Sequence, residues 1–290
     1  MDTTNNKPFL RPNPLDDYLF YKVMGEKGDE VQLLGFLNAV LGKQGKKPIE
    51  SLKILGNSSY VKDVMEGKTC ILDILAVLCD GTRVNVEVQL SNEYNMDRRS
   101  LFYWSKVYTG SLEEGKDYSE LPNVIAINIV DFNIKPVGKL HSSFKLREND
   151  DPSIVLTDAL EIHFLNMVQW RKQKGKDPKN DPLHRWLTWF DKQSPSELVE
   201  EIIDMDGPIA EAYRKLEEAC RDQDAYRSYW AQRKYDHDKI SAINGARREG
   251  LQKGNEQGRL EVARKMKEMG LPIAQIAEGT GLSAEAVEQL

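Results

Sequence analysis

Apolar residues recur at helical spacing through the first forty positions: Leu19, Phe20 and Val23, then Val31, Leu34, Leu37 and Leu41. Pro14 and the Asp16–Asp17 pair stand ahead of them as a helix-start signal, and Gly25 and Gly28 predict a split into two helices. Short strands are expected near Lys53–Leu55 and Tyr60–Asp63. Two segments, Thr69–Cys79 and Thr82–Leu90, flank Asp80-Gly81 and predict a hairpin. Helical periodicity returns over Asn92–Leu112 through Leu101, Trp104, Val107, Tyr108 and Leu112. Val124–Phe132 is nearly continuous in apolar residues, which marks a central strand, and His141–Leu146 and Val155–Leu165 predict two more. After Trp170 comes a charged loop, RKQKGKDPKNDP, and helices are expected from Leu183 to about residue 243.

The hairpin carries the candidate chemistry. In its second strand Val84, Val86, Val88 and Leu90 point one way, while Arg83, Asn85, Glu87 and Gln89 point the other. A two-residue loop of Asp80 and Gly81 would set Asp73 opposite Val88, burying a carboxylate in the apolar row. A three-residue loop, Cys79-Asp80-Gly81, with Gly81 left-handed, instead sets Leu78 opposite Thr82 and Asp73 opposite Glu87. The same register gathers Leu72, Ile74, Ala76 and Leu78 with the valine row, so it is the one expected. Cβ atoms of Asp73 and Glu87 would then lie about 4.5–5.5 Å apart. Two carboxylates that close repel unless a cation lies between them. Hard oxygen ligands suit Mg²⁺ or Mn²⁺ better than zinc, and such an ion can acidify a water and neutralise charge on a phosphate. Gln89, one pleat along, could orient water or phosphate through its amide. The plainer reading places Asp73 and Glu87 on the solvent face of an ordinary hairpin.

Composition narrows the setting. The 290 residues are 40% hydrophobic and 30% charged, enough for a packed core in a soluble chain. Neither a signal-like apolar stretch nor an apolar run of about 18 residues is visible, so a cytoplasmic protein with no membrane partner is expected. Cys70, Cys79 and Cys220 form no CxxC pair and read as free thiols, and the four histidines show no zinc spacing. The net charge of −6 weighs mildly against nucleic-acid binding, unless basic residues are locally concentrated.

The ordered runs PLDDYLFYKVMG, LLGFLNAVLG, ILDILAV, VNVEVQ, RRSLFYWSKVYTGSLEEGKDYSEL and VIAINIVDF resemble the PD-(D/E)XK nuclease family transposases, which are similar to bacterial recombination-promoting nucleases. The resemblance spans roughly residues 14 to 170. It implies an α/β fold: a restriction-endonuclease-like core with a central mixed β-sheet flanked by helices, followed by a helical extension and a helix-turn-helix-like tail. It also implies Mg²⁺-dependent cleavage of DNA, linked to recombination or mobile elements, with Asp73 and Glu87 as acidic ligands. Gln89 stands where the wider superfamily carries Lys. Asp17 corresponds to the family's leading aspartate, near the metal, or is a helix cap. Tyr21 stands where relatives show Lys, and Lys22 is the substitute phosphate contact. Arg99 and Tyr103, four apart on one helix face, are further DNA-binding candidates; Arg99 either grips a phosphate or pairs with Glu93. Tyr103, Trp104 and Tyr108 read more readily as core, and Glu161 and His163 as a solvated strand face. The alternative function is a nuclease-like DNA- or protein-binding module without activity, which the Gln89 exchange and the acidic balance favour.

The expected domains are 1–170 for the nuclease-like core, 171–243 for a helical extension, 244–267 for a Gly-periodic basic connector or helix, and 268–290 for the tail. Gly250, Gly254 and Gly258 recur every four residues; in a helix they would permit close approach in a homo-oligomer, at about 1 kcal/mol per glycine, and a flexible connector is the alternative. Ala277, Gly281, Ser283 and Val287 fit a helix-turn-helix, with Ser283 as cap. Glu285 and Glu288 without any Lys or Arg on the second helix argue against reading of a major groove, and hence against a tail-driven transcriptional regulator.

Overall fold

The hairpin register comes from its loop. Gly81 takes φ +86°, where only glycine is free of strain, its N–H donates to Leu78 O (2.9 Å), and Leu78 N–H donates to Thr82 O (2.9 Å). This is the three-residue loop expected from sequence, and it pairs β2 (Ile74–Leu78) with β3 (Arg83–Gln89) as Ile74↔Val86, Leu75↔Asn85, Ala76↔Val84 and Val77↔Arg83. The computed structural model describes residues 11–28, 30–43, 45–55, 74–112, 115–134, 137–221, 224, 227–228, 231, 250, 252 and 254–290. Asp73, Cys70, the strand expected at Tyr60–Asp63 and most of residues 222–243, the end of the expected helical run, lie outside the described residues.

Six strands form one mixed sheet in the order β1-β2-β3-β4-β6-β5, with β1 at Leu52–Ile54, β4 at Val124–Val130, β5 at His141–Lys145 and β6 at Leu160–Asn166. The β3–β4 and β4–β6 pairs are parallel, and the outer pairs are antiparallel. Every residue of β4 and β6 is buried, because both sheet faces are covered there; the nearly continuous apolar run of β4 fits this, while β6 buries Glu161, His163 and Asn166 as well. The last strand starts at Leu160 rather than Val155; Val155 makes only an isolated bridge with Arg147.

Helix α3 (Met96–Thr109) covers one face. Its Val107 packs with Leu75 and Val124, and Met96 with Ala126, Val130, Leu160, Ile162 and Phe164. The predicted pair α1 (Asp17–Met24) and α2 (Val31–Gly42) forms as expected. The end of α1 meets the opposite sheet face, where a Cβ on Gly25 would lie 3.2 Å from Ile74 Cγ1. There the fully buried valine row contributes about 1.5–3 kcal/mol per side chain. A short helix not foreseen from sequence, α4 (Met167–Lys172), follows β6 directly, capped by Asn166 accepting from Gln169 N–H (3.0 Å). Helices α5 (Pro182–Phe190), α6 (Ser196–Met205) and α7 (Gly207–Arg221) complete this unit. Phe36 of α2 packs edge-on to Trp186 and Phe190 of α5, at 5.7 and 5.4 Å between centroids.

Contacts divide the chain into two compact units, Met1–Asp222 and Gln223–Leu290. In the second, a helix over residues 254–268 (α8) packs Ala263 against Ile276 of α9 (Ile273–Thr280) and Val287 of α10 (Ala284–Glu288). Gly281 turns the chain at φ +67°, and Ser283 Oγ accepts from Ala286 N–H (3.2 Å), both as the motif predicts. Lys267 Nζ donates to the carbonyls of Val287 (3.0 Å) and Glu288 (2.9 Å), closing the end of α10. Gly250, Gly254 and Gly258 lie in helical backbone, and a Cβ on any of them would meet nothing within 4 Å. Among the described residues no helix is long and apolar enough to cross a membrane.

Candidate active site

Alternation along β3 sends Glu87 to the face beneath α3, together with Asn85. That face is closed, so Glu87 is only 3% exposed and Asn85 fully buried, rather than on the open side of a hairpin. A buried carboxylate needs hydrogen-bond donors. Asn85 Nδ2 supplies one to Glu87 Oε1 (3.1 Å), while Asn85 Oδ1, also buried, has no hydrogen-bond partner among the described residues. Glu87 stands in register with Asn128 of β4, whose Nδ2 donates to His163 O (3.0 Å).

Gln89 ends the strand half-buried, its Nε2 donating to Ser91 O (3.1 Å) and its carbonyl accepting from Asp131 N–H (3.1 Å). Asp131 in turn pairs with Arg171, which also reaches Asp191 (3.5 Å). These groups gather at the carboxyl ends of the parallel strands β3 and β4, where α/β sheets present ligand sites. A cleft of about 540 Å³ lined by Asp80, Thr82, Arg83, Glu120 and Asn123 lies at the other end of β3 and is separate from this chemistry.

The other candidates fall as follows. Asp17 opens α1 and is exposed; Asp16 occupies the cap position, with no side-chain cap bond. Lys22 forms an i,i+4 ion pair with Glu26, whose hydrogen bond raises the lysine's pKa. Arg99 NH1 lies 3.7 Å from Glu93, and its guanidinium sits 5.1 Å from the Tyr103 ring centroid. Tyr103 packs partly buried against the Leu75–Val107–Val124 cluster. Trp104 stacks on Tyr108 at 4.9 Å and donates to Val124 O (3.1 Å), so both serve the core.

Glu161 and His163 require a correction. They are not a solvated face: they are 2% and 0% exposed, because β6 lies between β4 and β5 and beneath the α2 side of the sheet. His163 Nε2 lies 2.8 Å from Glu161 Oε1, His141 Nε2 lies 2.9 Å from His163 Nδ1, and Lys46 and Lys145 (3.6 Å) bracket Glu161 Oε2. Burial alone would raise the Glu161 pKa, but hydrogen bonds from His163 and Lys46 outweigh it and hold the carboxylate near 2. Lys46 and Asn85 were not singled out from sequence. An Asn inside a valine-rich strand was the available signal for Asn85; nothing local marks Lys46, whose partner is 115 positions away.

The donor set beside β3 consists of hard oxygens: the Glu87 carboxylate and the orphaned Asn85 amide oxygen, with the Gln89 amide nearby. No sulfur or imidazole joins it on that strand, and oxygen-only donors fit Mg²⁺ or Mn²⁺.

A mixed sheet flanked by helices, with a buried carboxylate near the carboxyl end of a central strand, defines a restriction-endonuclease-like α/β protein. A family model described as PD-(D/E)XK nuclease family transposase matches residues 14–246, and the chain belongs to that family. No curated protein and no solved structure matches the chain. Membership supports a nuclease- or transposase-like function, and nucleases of this type generally use divalent metal ions.

Proposed function

We propose that the chain is a divalent-metal-dependent DNA endonuclease with Asp73 and Glu87 as metal ligands and Gln89 as the positioning amide. The observation that carries this reading is the hairpin register. Its last described pair, Ile74 with Val86, is the one that the three-residue loop expected from sequence requires, and that same expectation pairs Asp73, which lies outside the described residues, with Glu87. Asp73 and Glu87 would hold a divalent ion, which would supply an acidified water and positive charge for the phosphate. Glu87 contributes a carboxylate already withdrawn from bulk water, so its attraction for a cation is weakly screened. Asn85 holds one oxygen of that carboxylate, and its own buried amide oxygen, without a hydrogen-bond partner among the described residues, is a further oxygen donor for the ion in this reading. Gln89, at the open end of the strand, orients water or phosphate by hydrogen bonding, without the charge a Lys would bring. Asp17, Lys22, Arg99 and Tyr103 stay in the reading as secondary contacts to metal or DNA.

The test is nicking of supercoiled plasmid in Mg²⁺ or Mn²⁺ by the full chain. Activity lost in both Asp73→Ala and Glu87→Ala supports the endonuclease. Absence of cleavage under every divalent ion favours the second reading, a nuclease-like fold retained for binding, which Gln at position 89 supports.

A further inference from the structure

Arg98, Leu101, Phe102 and Lys106 on the outer surface of α3 have no role in the site described above. The helix buries Met96, Ser100 and Val107 on the sheet and leaves Arg98, Leu101 and Phe102 exposed, the last two at 49% each. Arg98, Phe102 and Lys106 follow one another at i, i+4 and i+8, so they form a single stripe, basic–aromatic–basic, about 12 Å long. Lys106 Nζ lies 5.7 Å from the Phe102 ring centroid, and the Phe102 and Tyr103 rings are 5.9 Å apart. Just upstream, Tyr94 is 77% exposed and takes φ +60°, the only non-glycine positive φ among the described residues. Its backbone N–H is held by Asn92 Oδ1 (2.8 Å), and it stands five residues beyond Gln89. Strained backbone that holds a large aromatic ring in solvent belongs to binding surfaces more than to cores. Of the acids nearby, Glu93 is turned towards Arg99 and Asp97 sits in the first helical turn.

We propose that this stripe is a platform for unpaired DNA: bases stack on Phe102 and Tyr94, with Leu101 as apolar floor, while Arg98 and Lys106 take phosphates on either side. The proposal rests on the endonuclease reading for the identity of the polymer. It adds that the preferred substrate contains a single-stranded tract. A duplex hides its base faces within the stack and offers mainly phosphates to a protein surface, which gives an exposed Phe–Leu pair nothing to cover. Single strands expose the faces, and alternating aromatic and basic groups are the chemistry that holds them.

The experiment is fluorescence anisotropy of the full chain in EDTA with labelled oligo-dT and with a blunt duplex of equal length. Oligo-dT is expected to bind more tightly. Phe102→Ala should weaken it about tenfold while leaving duplex binding nearly unchanged, and Phe102→Trp should retain it. Equal affinity for the two DNAs, no binding of oligo-dT, or an equal effect of Phe102→Ala on both overturns the proposal. So does a wild-type dimer that Phe102→Ala converts to monomer, which would give the face to a second copy. Binding in EDTA requires no cleavage, so the two readings fail separately. A chain that holds oligo-dT yet nicks nothing removes only the endonuclease; one that nicks plasmid yet ignores oligo-dT removes only the platform.

Discussion

His141 Nε2 lies 2.9 Å from Nδ1 of His163, the two rings stacked with centroids 5.2 Å apart and planes 26° from parallel. A single proton occupies that bond, so both rings cannot be doubly protonated while it is made. Burial, reinforced by His163 and Lys43 against the pull of Glu161, lowers the His141 pKa to about 4 from 6.5. The groups facing the pair are Glu161 on β6, Lys145 on β5, and Lys43 and Lys46 at the end of α2.

The pH dependence follows from these shifts. Between pH 6.5 and 4 the unfolded chain binds a proton at His141 that the folded chain refuses. Stability is therefore full above that window and falls as pH drops through it. Glu161, ordinarily near 4.5 and here near 2, adds a second loss below 4.5. Circular-dichroism melts should show the thermal midpoint declining from about pH 6.5 downwards, with the first leg reduced in His141→Phe and the rest falling to His184, whose pKa burial also lowers. A flat midpoint between 6.5 and 4 would contradict the shared-proton account.

Asn85→Leu should keep the volume of a buried strand position while removing both the donor to Glu87 and the orphaned oxygen. Groups that orient metal ligands commonly carry 10- to 100-fold in affinity or activity, and a loss of about that size is expected. Calorimetric titration with Mn²⁺, alongside plasmid nicking, measures it. Unchanged Mn²⁺ affinity would show that Asn85 serves packing alone.

Gln89→Lys places a fixed positive charge where the wider superfamily has one and should raise the nicking rate. Gln89→Ala removes the amide and should lower that rate by about 10²-fold. Single-turnover measurements separate these changes from altered DNA binding. If Lys and Ala behave alike at this position, the side chain does not contact the reacting phosphate or its water.

Gly35→Ala tests the joint between α2 and α7. A Cβ there would overlap Pro208 Cβ, closer than two non-bonded carbons can approach, so one helix must move. Overpacking of this kind costs about 1–3 kcal/mol, read as a lower urea midpoint with an unchanged m-value.

The helices α1 and α2, the hairpin and the central strand β4 were legible in sequence because each depends on short-range chemistry: apolar period, glycine breaks, an Asp-Gly loop. The hairpin register was legible for the same reason, since one loop geometry alone reconciles Gly81 with the apolar rows. Glu161 and His163 were not, because alternation on a strand looks the same whether its polar row meets water or another layer. Lys46 and His141 are brought to them by strand order and by the end of α2, neither of which leaves a local trace. The burial of Glu87 is a milder case: its face was legible, but the cover that α3 provides was not.

By itself, then, the order of residues along the chain determined α1, α2, α3, the hairpin and β4, how the hairpin is registered, and which polar side chains share a face of β3. Tertiary structure alone decided which faces are sealed, that β6 runs between β4 and β5, and that a Lys–Glu–His–His network fills the far side of the sheet. The physical reason is range. Backbone preference and side-chain period act over a few residues, whereas desolvation and charge pairing depend on neighbours that only folding brings together.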